Sequence, residues 1–263
     1  MADTTIEPRA IARRFADARA AGRKALVVYV TAGHPDLERS LGLLHGLADA
    51  GADVIEVGVP FSDPLADGPI IQASSQRALE QGMNYSRTLE LIARVTLTVP
   101  VVLFSYLNPV MAAGESALTR AADAGAHGIL ITDLPVGSDP ARETWLGSGP
   151  LDFVRLVAPT TPRARMAEIA KHGSGFVYLI SRMGVTGVRN DVAIDLPSTI
   201  ERLRSVTALP ICVGFGISTP GQAREIGLLA DGVVVGSAVV RAAEESVDAA
   251  LALVRELRAG MDS

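Results

Sequence analysis

The chain has 263 residues, 48% of them hydrophobic and only 4% aromatic, and its formal net charge is −5. The length is close to the ~250 residues typical of a (β/α)₈ barrel. The mildly acidic balance argues against nucleic-acid and anionic-membrane partners, because both require basic surfaces. The N-terminus lacks the apolar stretch of a signal peptide, and no apolar run is long enough to span a bilayer, so a soluble cytoplasmic protein is expected.

Short apolar runs alternate with longer helical segments along the chain. Each run is rich in Val, Ile or Leu, which is typical of parallel strands buried on both faces. The predicted strands are Ala25–Thr31, Val54–Val59, Val101–Ser105, Gly128–Thr132, Leu151–Val157, Gly175–Ile180, Pro210–Val213 and Gly232–Val235.

Helical patterns separate these strands. In Asp36–Ala50 leucines recur at helical spacing, with Asp36 as the predicted N-cap and Gly51 just beyond the C-terminus. Similar patterns cover Thr161–His172, Leu196–Ser205 and Ser246–Arg258. Eight strands alternating with helices predict one (β/α)₈ TIM-barrel domain over residues 1–263, with a short N-terminal helix. An open doubly wound sheet has the same element order and is the competing fold.

A weak internal repeat favours the closed barrel. The sequence Ala-Asp-Ala-Gly-Ala occurs at Ala48–Ala52 before the second predicted strand and at Ala122–Ala126 before the fourth. Repetition of a helix–glycine–strand unit is typical of a pseudo-symmetric barrel.

Carboxylates follow the second strand, at the end where barrels carry their functional loops. Glu56 lies inside an otherwise apolar strand, and Asp63 and Asp67 follow it. Burial would raise the pKa of Glu56, which suits a general acid or base near neutral pH. A structural glutamate bonded to its neighbours is the alternative, and Asp63 is at least as well explained as a turn former.

Glycine-rich segments follow the seventh and eighth strands. Val213–Ser218 and Asp231–Ala238 occupy the positions where such barrels commonly bind phosphate, with glycine N–H groups and a helix N-terminus facing the anion. Ser237 adds a hydroxyl donor. An ordinary strand-to-helix turn is the alternative interpretation.

The segment Ser181–Asn190 follows the sixth strand and contains two glycines without a helical pattern. It is predicted either to close over a bound substrate as a lid or to form a passive loop.

Several common chemistries are not indicated. The two lysines, Lys24 and Lys171, are predicted to lie away from the catalytic end, which disfavours Schiff-base catalysis. The four histidines lack metal-ligand spacing, and no nucleotide-binding glycine motif stands at a strand–helix junction. Cys212 lies in an apolar run and is expected to be an inert core residue. Acid/base catalysis on a phosphate ester, without metal, is the remaining expectation.

From Phe15 to Leu257 the sequence resembles the tryptophan synthase alpha chain family. The resemblance rests on EVGVPFSDPLADGPIIQ (Glu56–Gln72), YLISRMGVTG (Tyr178–Gly187), VGFGIS (Val213–Ser218) and GSA (Gly236–Ala238). It implies a retro-aldol cleavage of indole-3-glycerol phosphate to indole and glyceraldehyde 3-phosphate.

The same resemblance implies roles for particular residues. Glu56 would be the acid/base, Asp67 would accept the indole N–H, and Tyr178 would lie near the scissile bond. Thr186 would order the lid over Asp67. The implied indole pocket is Tyr29, Leu103, Phe104, Leu130 and Phe215, and the implied phosphate ligands are Gly187, Gly216, Gly236 and Ser237. Many relatives have Phe where this chain has Tyr29, so the hydroxyl must find a partner if it is buried.

The resemblance further implies an α2β2 complex. Indole would pass to a beta chain that carries pyridoxal phosphate, and this chain would need no cofactor. The Pro60–Pro64 loop, Asn108-Pro109 and Pro135 match segments that face the beta chain. Two other hypotheses stay open: a sugar-phosphate isomerase or epimerase on the same barrel, and a non-catalytic barrel partner of a beta chain.

Overall fold

The structure is a computed structural model that describes residues 9–180, 195–214 and 216–263. Eight parallel strands pair in chain order, and the last pairs with the first to close a barrel. The predicted (β/α)₈ barrel is confirmed and the open doubly wound sheet is excluded. Within the described ranges, no helix has the length and apolar character needed to cross a membrane.

The strands match the predicted runs closely. They are β1 (Ala25–Thr31), β2 (Val54–Gly58), β3 (Val101–Ser105), β4 (Gly128–Ile131), β5 (Asp152–Val157), β6 (Val177–Ile180), β7 (Ile211–Gly214) and β8 (Gly232–Val235). The largest difference is at β6, which starts two residues later than predicted. Gly175 has a φ of 76°, in the left-handed region that extended strands do not use.

Helices cover the outside of the barrel and one end of it. They are α1 (Ala10–Ala20), α2 (Leu37–Leu47), α3 (Pro69–Glu80), α4 (Tyr85–Ala93), α5 (Leu107–Ala112), α6 (Ala117–Asp123), α7 (Pro140–Ser148), α8 (Arg163–Lys171), α9 (Leu196–Arg204), α10 (Pro220–Leu229), α11 (Ser237–Glu245) and α12 (Val247–Asp262).

The internal repeat corresponds to a shared helix end. Gly51 and Gly125 have φ values of 108° and 102°, and the alanine after each donates its N–H back into the preceding helix. At the other end of α2, the Asp36 side chain accepts from the Arg39 N–H at 2.8 Å, as predicted for an N-cap. The helix itself ends at Leu47, three residues before the predicted limit of Ala50.

Alternation along the strands divides the apolar core into two layers. One layer packs between strands and helices and includes Ile55, Val57 and Leu103. The other fills the barrel interior and includes Val54 and Val102. Glu56 shares the inward phase of Val54, so its side chain belongs to the interior.

Helix α1 closes the N-terminal end of the barrel. Ile11 is fully buried in the interior cluster, and the Phe15 and Phe176 rings lie 5.7 Å apart. Gly128 and Gly175 leave room for this contact, since a Cβ at those positions would lie 2.8 Å and 3.3 Å from Ile11 carbons. The interior is therefore filled at this end, and space remains at the carboxyl ends of the strands.

A buried carboxylate fastens the closing helix to the barrel. Asp53, just before β2, is fully buried and lies 2.9 Å from Arg14, 3.2 Å from Arg23 and 3.3 Å from Arg258. It also accepts the Leu26 N–H at 2.9 Å. Residues of α1, β1 and α12 thus converge on one charge.

Candidate active site

A cavity of about 380 Å³ lies at the carboxyl ends of the strands. The predicted site residues that line it are Tyr29, Glu56, Asp67, Phe104, Tyr178, Gly216, Gly236 and Ser237. They come from β1, β2, β3 and β6, from the loops that follow β2, β7 and β8, and from the first residue of α11. Barrel closure therefore brings together residues that are far apart in the sequence.

Glu56 projects into this cavity from the interior face of β2. Its side chain is 1% exposed, and neither carboxylate oxygen has a hydrogen-bond partner among the described residues. Burial raises the pKa of Glu56 from its ordinary 4.5 to about 8, so the carboxyl is protonated at neutral pH. A structural glutamate would be bonded to its surroundings, because an unpaired buried carboxyl destabilises the fold. The geometry therefore favours a role for the protonated Glu56 carboxyl as a proton donor to a bound ligand.

Asp67 lies in the loop between β2 and α3 and is held by a tyrosine. The Tyr106 hydroxyl donates to Asp67 Oδ2 at 3.0 Å and accepts the Ala66 N–H at 2.9 Å. Burial raises the pKa of Asp67 to about 6, and the Tyr106 hydrogen bond opposes this rise. Asp67 is therefore ionised at neutral pH.

Asp63 has the geometry of a turn former. Its carboxylate accepts the neighbouring Ser62 hydroxyl at 2.5 Å, and its carbonyl accepts the Leu65 N–H at 2.9 Å. Asp63 does not line the cavity. The turn interpretation is therefore the one that the geometry favours.

Two aromatic side chains meet across a glycine of β2. The Tyr29 and Phe104 ring centroids are 5.2 Å apart in an edge-to-face arrangement. Gly58 pairs with both flanking strands, and a Cβ there would lie 2.0 Å from the Tyr29 hydroxyl oxygen. The buried Tyr29 hydroxyl contacts the Thr31 hydroxyl at 3.4 Å. The extra oxygen of Tyr29 thus has both space and a polar neighbour.

Tyr178 is accommodated in a similar way on the opposite wall. A Cβ at Gly214 would lie 2.4 Å from its hydroxyl oxygen. Burial raises the pKa of Tyr178, and the Glu56 charge adds to this rise. The phenol is therefore a neutral group beside the Glu56 carboxyl.

Two residues predicted for the indole pocket lie elsewhere. Leu103 packs in the layer between strands and helices, because its neighbour Phe104 takes the inward position and successive strand residues face opposite sides. Leu130 belongs to the interior cluster but does not line the cavity. Leu156 and Ile180 supply apolar lining instead.

The far end of the cavity has the features of an anion site. Gly236 precedes α11, none of the described side chains caps that helix, and its first turn contains no acidic residue. Gly216, with a φ of 81°, and Ser237 line the same region. A helix N-terminus with adjacent glycines and a hydroxyl favours a bound anion.

Three predicted site residues, Thr186, Gly187 and Phe215, lie outside the described residues, as does the proposed lid Ser181–Asn190. The sequence alone did not predict two further groups of the site. Tyr106 directly follows β3 and binds Asp67 without lining the cavity, whereas Arg241 lines the cavity one helical turn after Ser237. The rule that barrel sites collect at strand ends could have identified the first.

A larger cavity of about 520 Å³ lies outside the barrel between α7 and α8. Its carboxylates already have protein partners: Glu143 binds Arg155 at 3.2 Å, and Glu168 contacts His172 at 3.1 Å. An unpartnered reactive group distinguishes the interior cavity, so the candidate active site is placed there.

Comparison with known proteins identifies the family of the chain. A family model described as tryptophan synthase alpha chain matches residues 15–262. The alpha chain of Gluconacetobacter diazotrophicus is 45% identical over 96% of this chain and 92% of its own length. That of Gloeobacter violaceus is 47% identical over 89% and 86%.

Solved structures give the same result. A tryptophan synthase chain from Mycobacterium tuberculosis superposes with a TM-score of 0.89 at 35% identity, covering 97% of this chain and 99% of that one. The tryptophan synthase alpha subunit of Legionella pneumophila gives a TM-score of 0.86 at 31% identity, with coverage of 97% and 99%. Sequence and fold thus agree over nearly the whole length, and the chain belongs to the tryptophan synthase alpha chain family, a family of lyases in tryptophan biosynthesis.

Proposed function

We propose that this chain cleaves indole-3-glycerol phosphate to indole and glyceraldehyde 3-phosphate. One observation carries the proposal: a fully buried, unpartnered Glu56 carboxyl faces a cavity whose other end has the features of a phosphate site. Family membership supports the lyase class, and the cavity residues support this particular reaction.

In the proposed reaction Glu56 serves first as acid and then as base. The protonated carboxyl gives its proton to indole C3, and the ring nitrogen takes the positive charge. The resulting carboxylate removes the proton of the adjacent side-chain hydroxyl. The carbon–carbon bond then breaks, its electron pair returns to the indole ring, and the aldehyde forms. Glu56 ends the cycle protonated, as it began.

Asp67 is the proposed partner of the indole N–H. As an ionised carboxylate it stabilises positive charge on the ring when C3 is protonated. The Tyr106 hydrogen bond restricts the orientation of Asp67 and favours the ionised form. Tyr178 is proposed to lie near the scissile bond as a neutral hydroxyl.

The phosphate is proposed to bind at Gly216, Gly236 and Ser237. The indole is proposed to lie against Tyr29 and Phe104, with Leu156 and Ile180 completing the apolar wall. Gly187 and Phe215 remain proposed ligands on the strength of the resemblance, and so does Thr186 as the residue that orders a lid.

A beta chain is the proposed partner, in an α2β2 complex located in the cytoplasm. Several solved relatives are described as tryptophan synthase, two of them in aminoacrylate-bound forms. Pyridoxal phosphate would belong to that partner, and the chemistry above uses only side chains of this chain. Leu65, 93% exposed in the loop after β2, offers an apolar contact on the proposed docking side.

The direct test is indole release from indole-3-glycerol phosphate by the purified chain, alone and with a beta chain. Glu56→Gln should reduce turnover by at least about 10³-fold, because among the described cavity residues Glu56 is the one proposed to supply the proton. Binding of an unreactive indole-alkyl phosphate should change little. Normal turnover in E56Q would rule out the assigned role. Absence of indole release by the unmodified chain would contradict the reaction and favour the isomerase or the non-catalytic alternative.

A further inference from the structure

Arg241 is a charged cavity residue to which the proposed reaction has so far assigned no role. It lies on α11, exposed, and is the only basic side chain among the described residues that line the cavity. The same lining contains two carboxyl groups, Glu56 and Asp67. The cavity thus has its acidic groups on β2 and the following loop, and its one cation on the helix after β8.

The position of Arg241 relates it to the phosphate end. Ser237 and Arg241 are four residues apart on the same helix, so their side chains are neighbours on one face. Ser237 is the first residue of α11, where the helix dipole is positive. Arg241 therefore adds a full positive charge beside a backbone site that by itself provides only about half a charge.

The guanidinium is also free to bind a ligand. Within the described ranges Arg241 takes part in no ion pair or side-chain hydrogen bond, whereas Arg14, Arg23 and Arg258 share the Asp53 carboxylate. A phosphate monoester carries nearly two negative charges at neutral pH. Backbone N–H groups and one hydroxyl carry only partial positive charges, so they offset only part of that negative charge.

We propose that Arg241 is the cationic anchor of the substrate's phosphate and makes the site select a dianionic ester over an uncharged analogue of the same shape. This inference rests on the proposed function. It identifies the residue that makes the cavity prefer a charged phosphate ester to an uncharged ligand. Arg241 is assigned to the phosphate group and not to proton transfer. It should therefore contribute to the binding of the substrate and of the phosphorylated product, and have little effect on the rate of bond cleavage.

The test compares two ligands, 3-(indol-3-yl)propyl phosphate and the corresponding alcohol, by calorimetry with the unmodified chain and Arg241→Gln. The Kd of the phosphate should rise about tenfold or more in R241Q, as expected for a lost charge-assisted hydrogen bond. The Kd of the alcohol should stay within about twofold, and R241K should restore part of the phosphate affinity. With indole-3-glycerol phosphate, KM should rise while kcat stays within about twofold.

Arg255, exposed on α12 and outside the cavity lining, provides the matched control. R255Q removes the same charge and should leave both Kd values unchanged. Should R241Q fail to fold, R241M makes the same comparison.

Equal phosphate affinity in R241Q and the unmodified chain would overturn the proposal, and so would a parallel loss of affinity for both ligands. If the unmodified chain cleaves its substrate normally while R241Q is unaffected, only this inference fails. If the unmodified chain neither cleaves the substrate nor binds the phosphate, the proposed function fails and this inference with it.

Discussion

At neutral pH the Glu56 carboxyl is protonated in the folded chain and ionised in the unfolded chain, because burial raises its pKa from 4.5 to about 8. Ionisation therefore favours the unfolded state. Any stability that the neutral carboxyl provides is fully present below pH 4.5 and is lost progressively as the pH rises to about 8. The residue that serves the proposed chemistry is thus one that destabilises the fold under working conditions.

Replacing Glu56 by Gln should stabilise the protein at pH 7 by on the order of 2–3 kcal/mol, since a neutral amide gains nothing on unfolding. Urea denaturation at pH 5 and pH 8 measures this, and the gain should be larger at pH 8. Exposed Glu90 on α4 supplies the control, and E90Q should change stability little at either pH. A gain that does not depend on pH would mean that Glu56 ionises normally in the folded chain.

The pH dependence of kcat/KM should be bell-shaped. The acidic limb should fall near pH 6, where Asp67 becomes ionised, and the alkaline limb near pH 8, where Glu56 loses its proton. Tyr106→Phe removes the hydrogen bond that lowers the Asp67 pKa, so the acidic limb should move to higher pH while the alkaline limb stays.

The control for Y106F is Tyr85, whose hydroxyl donates to the Ala117 carbonyl away from the cavity. Y85F should leave both limbs in place. An acidic limb that moves to lower pH in Y106F, or does not move, would contradict the assignment of that limb to Asp67.

At the scale of the element, the interior face of strand β2 carries one reactive side chain, that of Glu56, and one glycine, Gly58, which has no side chain. Gly58 follows Glu56 on the interior face, and its lack of a side chain lets Tyr29 of β1 contact Phe104 of β3. The same relation occurs between Gly214 of β7 and Tyr178 of β6. Inward-facing glycines therefore determine where the large cavity side chains lie.

Gly58→Ala should destabilise the protein by about 1–3 kcal/mol and raise KM, because its Cβ would overlap Tyr29. Thermal unfolding and steady-state kinetics measure the two effects. A Cβ added at Gly147 on α7 would meet no atom within 4 Å, so G147A is the control and should be neutral or slightly stabilising. Wild-type stability and KM in G58A would show that Tyr29 can move without loss.

The elements were largely predictable, and the side-chain arrangement less so. Strands buried on both faces produce continuous apolar runs, so all eight were found. Leu103 does not line the cavity, because successive strand residues face opposite sides and Phe104 takes the inward position. Arg241 was missed because a surface arginine in a helix has no distinctive sequence pattern until the fold brings it beside Ser237.

At the scale of the whole molecule, stability and chemistry occupy opposite ends of the barrel. Ile11 and the Asp53 cluster hold the N-terminal end closed, whereas Glu56, Asp67 and Ser237 face the other end. Substitutions at the N-terminal end should therefore change stability without changing catalysis.

Ile11→Ala should lower the free energy of unfolding by about 2–5 kcal/mol, because it empties a fully buried site. At 25 °C kcat/KM should stay within about twofold of the unmodified value, provided that the variant remains folded. Leu228, 71% exposed, is the control, and L228A should alter neither quantity. A large loss of kcat/KM in folded I11A would show that the two ends are coupled.

Helix α1, which closes the N-terminal end of the barrel, also limits the path by which substrate and products can enter and leave the cavity. With Ile11 blocking passage through the base, both products of the proposed cleavage must depart by the route through which the substrate arrived. A partner protein bound over the open end of the cavity would receive indole directly, without a tunnel through this chain. The contacts at that opening would then determine which of the two products leaves first.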